Sequence, residues 1–331
     1  MRVLVVMNFG PDERTPQRGR WVVDQVEALR QFGVDVELFS FPPGKDRYLP
    51  ATRRIRAILK RDSFDLVHAH YGLAGWCALL AGARPLIVTF HGTDVRHRVV
   101  GPGSRLLSRR LALTAGASSA LFGEEAGRSG LPLIPGRNAV LPCGADLSRF
   151  VPESRISSRR SLGLDPERRY LFFPADPARP EKRADRAREV AERTGAELLT
   201  GGGIDPDRMS VWINAADAVL VTSDYEGFGL ACLESLACDV PVMTTPVGIA
   251  PSLLRSLPKT LCAPFDAAGW SDFAAELLLD PDPRTSGRPR AEALSATRMA
   301  ERVLLAYREV LGSATATEVS AAEFGNDGEI R

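Results

Sequence analysis

Short apolar runs alternate with segments of helical periodicity along most of this 331-residue chain. Four runs in the first half are almost continuously apolar, as strands covered on both faces are: residues 3–7, 34–39, 66–68 and 86–90. A helix period runs from Trp21 to Phe32 between the first two runs and ends at Gly33. Strand, helix and strand in succession indicate a parallel sheet wrapped by helices.

A second series of the same kind occupies the other half of the chain. Its strand-like runs are residues 170–173, 197–200, 218–222, 240–244 and 259–262. With 44% hydrophobic residues, a chain of this length can bury two cores of ordinary size. We therefore predict an α/β protein of two consecutive units joined near residues 150–168. The tail at 313–331 has no apolar period and is predicted to be disordered.

Composition excludes several classes of function. Lys and Arg together number 42, against 41 for Asp and Glu. The chain therefore lacks the basic bias of a nucleic-acid-binding protein. The five cysteines form no Cys-x-x-Cys pair and the four histidines have no zinc-ligand spacing. We therefore expect reduced thiols, no metal site and a cytoplasmic location. The N-terminal apolar run is too short for a transmembrane segment, while a peripheral membrane contact stays open.

The stretch EGFGLACLE, which begins at Glu226, follows a strand of the second series. Gly227 and Gly229 allow a sharp turn, and the helix predicted at 230–237 would point its positive N-terminal end at the loop. Such an end suits a diphosphate, so Glu226 and Glu234 are better interpreted as acceptors for sugar or ribose hydroxyls. The alternative, a helix-capping Glu226 and a surface Glu234, is disfavoured because Glu234 lies in an otherwise apolar helix.

A second loop, PADPARPEKRADRAREV, follows the strand at 170–173. Arg179 and Lys182 precede the helix body, where a guanidinium fork and an ammonium could neutralise two phosphates together. A solvated charge run is the alternative, and we accept it for the three arginines further along, which are Arg183, Arg186 and Arg188.

The third loop, HGTDV, follows the strand at 86–90. His91 could donate to a reacting sugar or stabilise charge on it, and Asp94 could orient a hydroxyl or cap the next helix. In the HAH stretch, His68 is predicted to be a packed residue that ends a strand, and the role of His70 is left undecided.

These motifs, with PARPEK upstream of EGFGLACLE and LPCGADLSRF before the linker, resemble the retaining glycosyltransferases of family 4, which have the GT-B fold. The resemblance extends to about residue 312. It implies two Rossmann-like domains that face each other across a cleft. Residues 1–150 would bind the acceptor and residues 151–295 the nucleotide-sugar donor. The helix at 296–312 would return to the first domain, ahead of the tail at 313–331.

The resemblance also implies roles for individual residues. The diphosphate would be bound by Arg179 and Lys182, the ribose by Glu234 and the transferred sugar by Glu226, with His91 near that sugar. The EGFG turn would complete the donor contacts through Gly227, Phe228, Gly229 and Leu230. On the acceptor side the candidates are Gly19, Arg18, Arg20 and Asp94. Two departures from the family pattern are Asp239, at a helix end where glycine is usual, and Ile249, where a second glycine is often seen.

The implied activity is that of a retaining, hexosyltransferase-type enzyme. It would move a sugar from a nucleoside-diphosphate sugar to a hydroxyl on a small molecule, glycan or glycolipid, without a metal or other cofactor. The departing phosphate oxygen would take the acceptor proton on the same face of the sugar. The alternatives are a nucleotide-sugar epimerase of GT-B-like fold and a non-catalytic sugar-nucleotide-binding homologue.

A nicotinamide-dependent dehydrogenase is disfavoured, because NFGPDER after the first strand is not Gly-x-Gly-x-x-Gly. The high content of Arg, Ala, Gly and Pro suggests a GC-rich bacterial genome. The sugar, the nucleobase, the acceptor, the pathway and the oligomeric state stay open.

Overall fold

The computed structural model describes residues 1–10, 18–122, 131 and 137–312. These residues divide between two compact units. Unit 1 contains the described residues up to Cys143 and those from Ala296 onward, and unit 2 contains Gly144–Ser295. Residues 144–150, assigned from the sequence to the first domain, therefore belong to unit 2. The tail predicted to be disordered, 313–331, lies outside the described residues.

Unit 1 is built on a parallel sheet. Its strands are β1 (Arg2–Met7), β2 (Asp35–Ser40), β3 (Leu66–His70), β4 (Leu86–Phe90), β5 (Leu113–Gly116) and β6 (Asn138–Val140). The strand order is β2-β1-β3-β4-β5-β6, with parallel pairing throughout. The order reverses between β1 and β3, so the loops after these strands flank the place where open parallel sheets usually bind ligands.

Helices cover both faces of this sheet, as the apolar strands predict. They are α1 (Arg20–Gln31), α2 (Tyr48–Arg61), α3 (Gly72–Ala81), α4 (Thr93–Arg96) and α5 (Val100–Ser108). One face of β1, with Val3 and Val5, packs against α1, while Leu4 and Val6 face α2 and α3. The unit therefore has two apolar layers, one on each side of the sheet.

Strand β3 runs two residues beyond its predicted end at His68. It lies between β1 and β4, and His70 pairs in register with Met7 on one side and Thr89 on the other. Because both neighbours continue the ladder, the strand includes His70 in spite of its polar side chain. His68 is fully buried, so its predicted packing is confirmed, whereas its predicted place at the strand end was wrong.

Unit 2 has a second parallel sheet, in the order β11-β10-β9-β7-β8. The strands are β7 (Tyr170–Phe173), β8 (Glu197–Thr200), β9 (Ala218–Val221), β10 (Val242–Thr244) and β11 (Leu261–Cys262). Strand β10 begins later than predicted, after Pro241, which has no N–H to donate to a ladder.

Helices alternate with the strands of unit 2. They are α6 (Arg155–Ser161), α7 (Ala184–Thr194), α8 (Met209–Ala215), α9 (Leu230–Ala237), α10 (Ala250–Leu253), α11 (Ala267–Leu279) and α12 (Arg288–Glu292). Just beyond α9, Asp239 adopts a left-handed conformation with φ of 53°, the conformation for which glycine is usual at such a helix end and which a short polar residue can also adopt. Its Oδ1 accepts the backbone N–H of Arg288 at 2.8 Å, which ties the end of α9 to α12.

The last helix that the structure describes, α13 (Ala296–Val310), belongs to unit 1 rather than to unit 2. It packs against α1, and Met299, Val303 and Tyr307 are buried in the apolar layer that also contains Val3 and Val5. The predicted return of the last helix to the first domain is confirmed.

Candidate active-site residues

The centre of the candidate site in unit 2 is an ion pair between Lys182 and Glu226. The Lys182 Nζ donates to Glu226 Oε1 at 2.6 Å and to Oε2 at 2.7 Å. The two side chains are only 13% and 15% exposed. Lys182 ends a short 3-10 turn, Pro180–Lys182, which follows β7, and Glu226 lies in the loop after β9. These strands are neighbours in the sheet, so their carboxyl ends bring the two residues together.

Two hydroxyl groups, which the sequence did not single out, hold Glu226 in place. Ser223 Oγ donates to Glu226 Oε1 at 2.7 Å. Thr245, just beyond β10, donates its hydroxyl to the Ser223 backbone carbonyl at 2.5 Å. Glu226 is therefore oriented from the loops after three adjacent strands.

The EGFG turn places the start of α9. Gly229 precedes the helix with φ of 100°, a conformation that favours glycine, and no side chain caps the first turn. The loop after β10 supports the turn, because the Ile249 N–H donates to the Phe228 carbonyl at 2.7 Å. Gly248 permits this approach, since a Cβ there would lie 2.1 Å from the Phe228 oxygen. The uncapped helix end is suited to an anion.

Arg179 is 55% exposed and is paired within its own loop. Its Nε and Nη2 donate to Glu181 Oε1 at 2.9 and 2.6 Å. The next arginines, Arg183 and Arg186, form ion pairs with Asp224 at 3.3 and 2.9 Å. These two arginines belong to the charge run that was predicted to lie outside the site. They connect the start of α7 to the loop after β9.

Glu234 lies on α9, about one turn beyond the helix start, and is partly buried. Leu230, the first residue of the helix, and Gly227 are likewise partly buried, whereas Phe228 is 6% exposed. Their predicted contacts with ribose, sugar and phosphate stay predictions.

Unit 1 contains a cluster of histidines at the carboxyl ends of β3 and β4. His70 Nδ1 and His91 Nε2 are 3.1 Å apart. His68 Nδ1 lies 2.7 Å from the Tyr307 hydroxyl and its Nε2 lies 2.7 Å from the Thr89 hydroxyl. The structure thus joins the undecided His70 to His91, and brings in Tyr307 from the final helix, 239 residues away from His68.

Burial keeps these three histidines neutral. It lowers the pKa of His91 to about 3. Burial, with a smaller contribution from His91, also lowers the pKa of His68 to about 3. The pKa of His70 is likewise well below its ordinary value, mainly through burial. Near neutral pH His91 can therefore donate a hydrogen bond but supplies no positive charge, which favours the first of its two predicted roles.

Asp94 is buried and binds backbone amides. Its Oδ1 accepts from the His91 N–H and its Oδ2 from the Gly72 N–H, both at 3.0 Å. The helix α4 that contains it has Gly92, not Asp94, at its N-cap. Burial raises the Asp94 pKa to about 6, although the backbone donors act in the opposite direction. Asp94 therefore ties the start of α3 to the loop that contains His91, and its acceptor-side role stays a prediction.

The other acceptor-side candidates lie at the start of α1. Gly19 precedes the helix with φ of 66°, and a Cβ there would lie 2.0 Å from the Phe9 carbonyl oxygen. Arg18 lies over the Phe9 ring at 5.0 Å, and Arg20 Nε donates to Asp24 Oδ1 at 2.8 Å. This geometry brings the end of β1 against the first turn of α1.

Two properties of the described residues bear on the site. In the part of the chain that the structure describes, no group of three or more His, Cys, Asp or Glu side chains could hold a metal ion. The helices of the same part include none with the length and apolarity needed to cross a bilayer.

Comparison with protein families gives two matches along the chain. A family model described as Glycosyltransferase Family 4 matches residues 3–149. A model described as Glycosyl transferases group 1 matches residues 181–293, which include Lys182, Glu226 and Glu234.

Among curated proteins, the chain is 26% identical to D-inositol 3-phosphate glycosyltransferase of Mycolicibacterium paratuberculosis, over 88% of this chain and 75% of the relative. The enzyme of the same name from Mycobacterium tuberculosis (strain CDC 1551 / Oshkosh) is also 26% identical, over 88% of this chain and 70% of the relative.

Solved structures share the fold. Sucrose-phosphate synthase from Thermosynechococcus elongatus superposes with a TM-score of 0.74 at 17% identity, over 95% of this chain and all (100%) of that chain. The Anabaena protein HepE, in complex with UDP and glucose, gives a TM-score of 0.69 at 15% identity, over 92% of this chain and 99% of its own.

Proposed function

Because the chain belongs to the family-4 glycosyltransferases and has the GT-B fold, we propose that it transfers a sugar, with retention of configuration, from a nucleoside-diphosphate sugar to a hydroxyl acceptor. The observation that carries this proposal is the Lys182–Glu226 pair beside the loop that leads into the uncapped end of α9. It combines a cation for phosphate with a carboxylate for sugar hydroxyls.

The pair can serve both ligands at once. An ammonium has three N–H donors, and two of them are used on the Glu226 oxygens, so one is left for a phosphate oxygen. Glu226 Oε2, which Ser223 does not contact, keeps a lone pair for a sugar hydroxyl. Arg179, on the exposed side of the same loop, would add a guanidinium to the diphosphate once it leaves Glu181.

In the proposed reaction, the bond between the anomeric carbon and the diphosphate oxygen breaks as the acceptor oxygen bonds to the same face of that carbon. The acceptor proton passes to the departing phosphate oxygen. The developing negative charge would be stabilised by Lys182, Arg179 and the α9 N-terminus, so we propose that no metal ion is needed. Glu226 and His91 would bind the sugar as acceptor and donor of hydrogen bonds, with no covalent intermediate.

The first test is a thermal-shift panel in buffer containing EDTA, with UDP, GDP, TDP, ADP and NAD. A ligand at about a hundred times its Kd adds roughly 2.7 kcal/mol to stability. We expect one nucleoside diphosphate to stabilise the native protein, and this shift to be lost in Lys182→Ala and Glu234→Ala. The matched control is Arg188→Ala, an exposed cation on α7 that lies outside the site. If no diphosphate shifts the native protein, or all variants respond alike, the donor site is wrong.

Product analysis then separates the alternatives. With the donor so identified, the anomeric proton of the product, read by NMR early in the reaction, distinguishes retention from inversion. Release of an isomerised sugar without an acceptor would favour the epimerase, and binding without turnover the non-catalytic homologue. The names of the curated relatives make D-inositol 3-phosphate the first acceptor to try.

A further inference from the structure

We propose that Gln25 and His70 are positioning residues that hold His91 in the tautomer with its proton on Nδ1. In the structure His70 lies between the other two side chains. Gln25 Nε2 is 3.5 Å from His70 Nε2, and His70 Nδ1 is 3.1 Å from His91 Nε2. Gln25 and His70 are 7% and 1% exposed, so water does not compete for these contacts.

The direction of the hydrogen bonds follows from the orientation of the Gln25 amide, which is assigned with its nitrogen toward His70; an amide nitrogen can only donate. Facing it, His70 Nε2 must accept, so the single proton of a neutral His70 is on Nδ1. That proton is donated to His91 Nε2, and His91 must then have its own proton on Nδ1. The low pKa of both histidines, caused by burial, agrees with neutral rings.

A second set of contacts, made by His68, fixes the position of the His70 ring but does not determine which ring nitrogen of His70 is protonated. The rings of His68 and His70 are 4.4 Å apart, and His68 is bonded to the hydroxyls of Tyr307 and Thr89. Hydroxyl groups both donate and accept, so they anchor the His68 ring in either tautomer. Gln25 is therefore the member of the cluster that selects the direction of donation.

The consequence is that His91 presents an N–H donor, rather than a lone pair, from Nδ1. Its ring is confined by His70 on one side, with the Tyr71 ring at 4.6 Å and the Trp21 ring at 5.9 Å. The use of that donor on a sugar or phosphate oxygen rests on the proposed function, whereas the tautomer itself does not.

The test is nitrogen-15 NMR of the full-length protein labelled in histidine, without any ligand. Among the four histidines, His97 provides a reference for the opposite tautomer, because its Nδ1 accepts the N–H groups of Val99 and Val100. We expect His91 to show a protonated Nδ1 and an unprotonated Nε2 in the native protein. A proton on His91 Nε2 in this spectrum would overturn the proposal.

Variants test the cause. In Gln25→Met the donor to His70 is lost, so in a substantial fraction of molecules the His91 proton should move to Nε2. Thr89→Val is the control: it removes a hydroxyl that is bonded to His68 and should leave the His91 tautomer unchanged. An unchanged His91 signal in Gln25→Met would also overturn the proposal. In turnover assays, Gln25→Met should lower kcat about tenfold, the effect of one lost hydrogen bond, with little change in donor KM. If the His91 proton moves in Gln25→Met as expected but kcat is unaffected, the result would contradict the proposed use of His91 in sugar transfer. The proposed positioning of His91 would then still hold.

Discussion

The Lys182 ammonium spans both carboxylate oxygens of Glu226, at 2.6 and 2.7 Å, across 44 residues of sequence. Arg179 is likewise bonded to Glu181. Each cation proposed to bind the diphosphate is therefore already paired with a carboxylate, and a ligand must share or replace that partner. This arrangement makes the donor site sensitive to both charges of each pair.

Breaking the central pair should lower stability as well as donor binding. Lys182→Met leaves a mostly buried Glu226 without its cation, and we expect a loss of about 1–3 kcal/mol in urea denaturation. Adding Glu226→Gln removes the unpaired charge, so the double variant should lose less than the sum of the two single variants. Strict additivity would show that the two side chains are not coupled.

Removing the competing carboxylate should strengthen diphosphate binding. In Glu181→Gln the Arg179 guanidinium no longer has an anionic partner at 2.6 Å, so the Kd of the preferred nucleoside diphosphate should fall about two- to fivefold. Calorimetry at low and high salt measures the effect, which should shrink with added salt. Glu192→Gln makes the same charge change at an exposed position of α7 and controls for net charge. An equal fall in Kd in that control would show that the effect comes from the change in net charge and not from Arg179.

The contact between Gly248 and the EGFG turn should be needed for the donor site. Gly248→Ala and Gly163→Ala both place a side chain at positive φ, of 57° and 70°, and each should cost about 1 kcal/mol. Only at Gly248 would the new Cβ meet a neighbour, the Phe228 backbone oxygen at 2.1 Å, because nothing lies within 4 Å at Gly163. Gly248→Ala should therefore lose more stability than the cost of its backbone conformation alone. We therefore expect weaker donor binding in Gly248→Ala alone. The Kd of the nucleoside diphosphate is measured by titration at a temperature where both variants are fully folded. Equal binding by both variants would argue against a shift of the turn.

The histidine cluster should make the protein sensitive to mild acid. The pKa of His68 and His91 is about 3 in the folded protein and near 6.5 in the unfolded chain, so the unfolded state binds more protons between these values. Stability is thus fully present above pH 6.5 and is lost as the pH falls. Each of these residues should cost roughly 1 kcal/mol of stability between pH 7 and 5.5.

Asp94 acts in the opposite direction over part of this range. Its folded pKa of about 6 lies above its unfolded value, so protonation on acidification returns somewhat less than about 1 kcal/mol between pH 7 and 5.5. The pKa of His70 is also well below its ordinary value, so this residue adds a loss of the same sign as His68 and His91. We expect a net loss of roughly 2–3 kcal/mol in urea denaturation between the two pH values. A smaller loss of stability in His68→Gln would show that the histidine cluster causes the loss. Constant stability of the native protein between the two pH values would contradict the low pKa of the buried histidines.

Local patterns were sufficient to predict some parts of the molecule. The buried β1 follows from residues 3–7, and the turn into α9 follows from Gly227 and Gly229, because sequence neighbours alone determine both. The left-handed Asp239 could also be predicted, since its position after an apolar helix defines the conformation needed.

Contacts between remote segments could not be predicted in this way. Gln25 is one of several polar residues on α1, and only the pairing of β1, β3 and β4 shows that it faces His70. Ser223 and Thr245 carry no motif, and their hold on Glu226 depends on the adjacent ends of β9 and β10. The predicted end of β3 was wrong for the same reason, since neighbouring strands extended the ladder through polar residues.

The burial of Tyr307 against His68 affects the order in which the protein can fold during synthesis. The strands of unit 1 are synthesised before unit 2, yet one of the apolar layers of unit 1 requires Met299, Val303 and Tyr307, which leave the ribosome after the whole of Gly144–Ser295. Unit 2 can therefore complete its core while the nascent unit 1 still exposes one face of its sheet, the reverse of the usual N-terminal-first order. The synthesis of α13 is thus the step that completes the first domain.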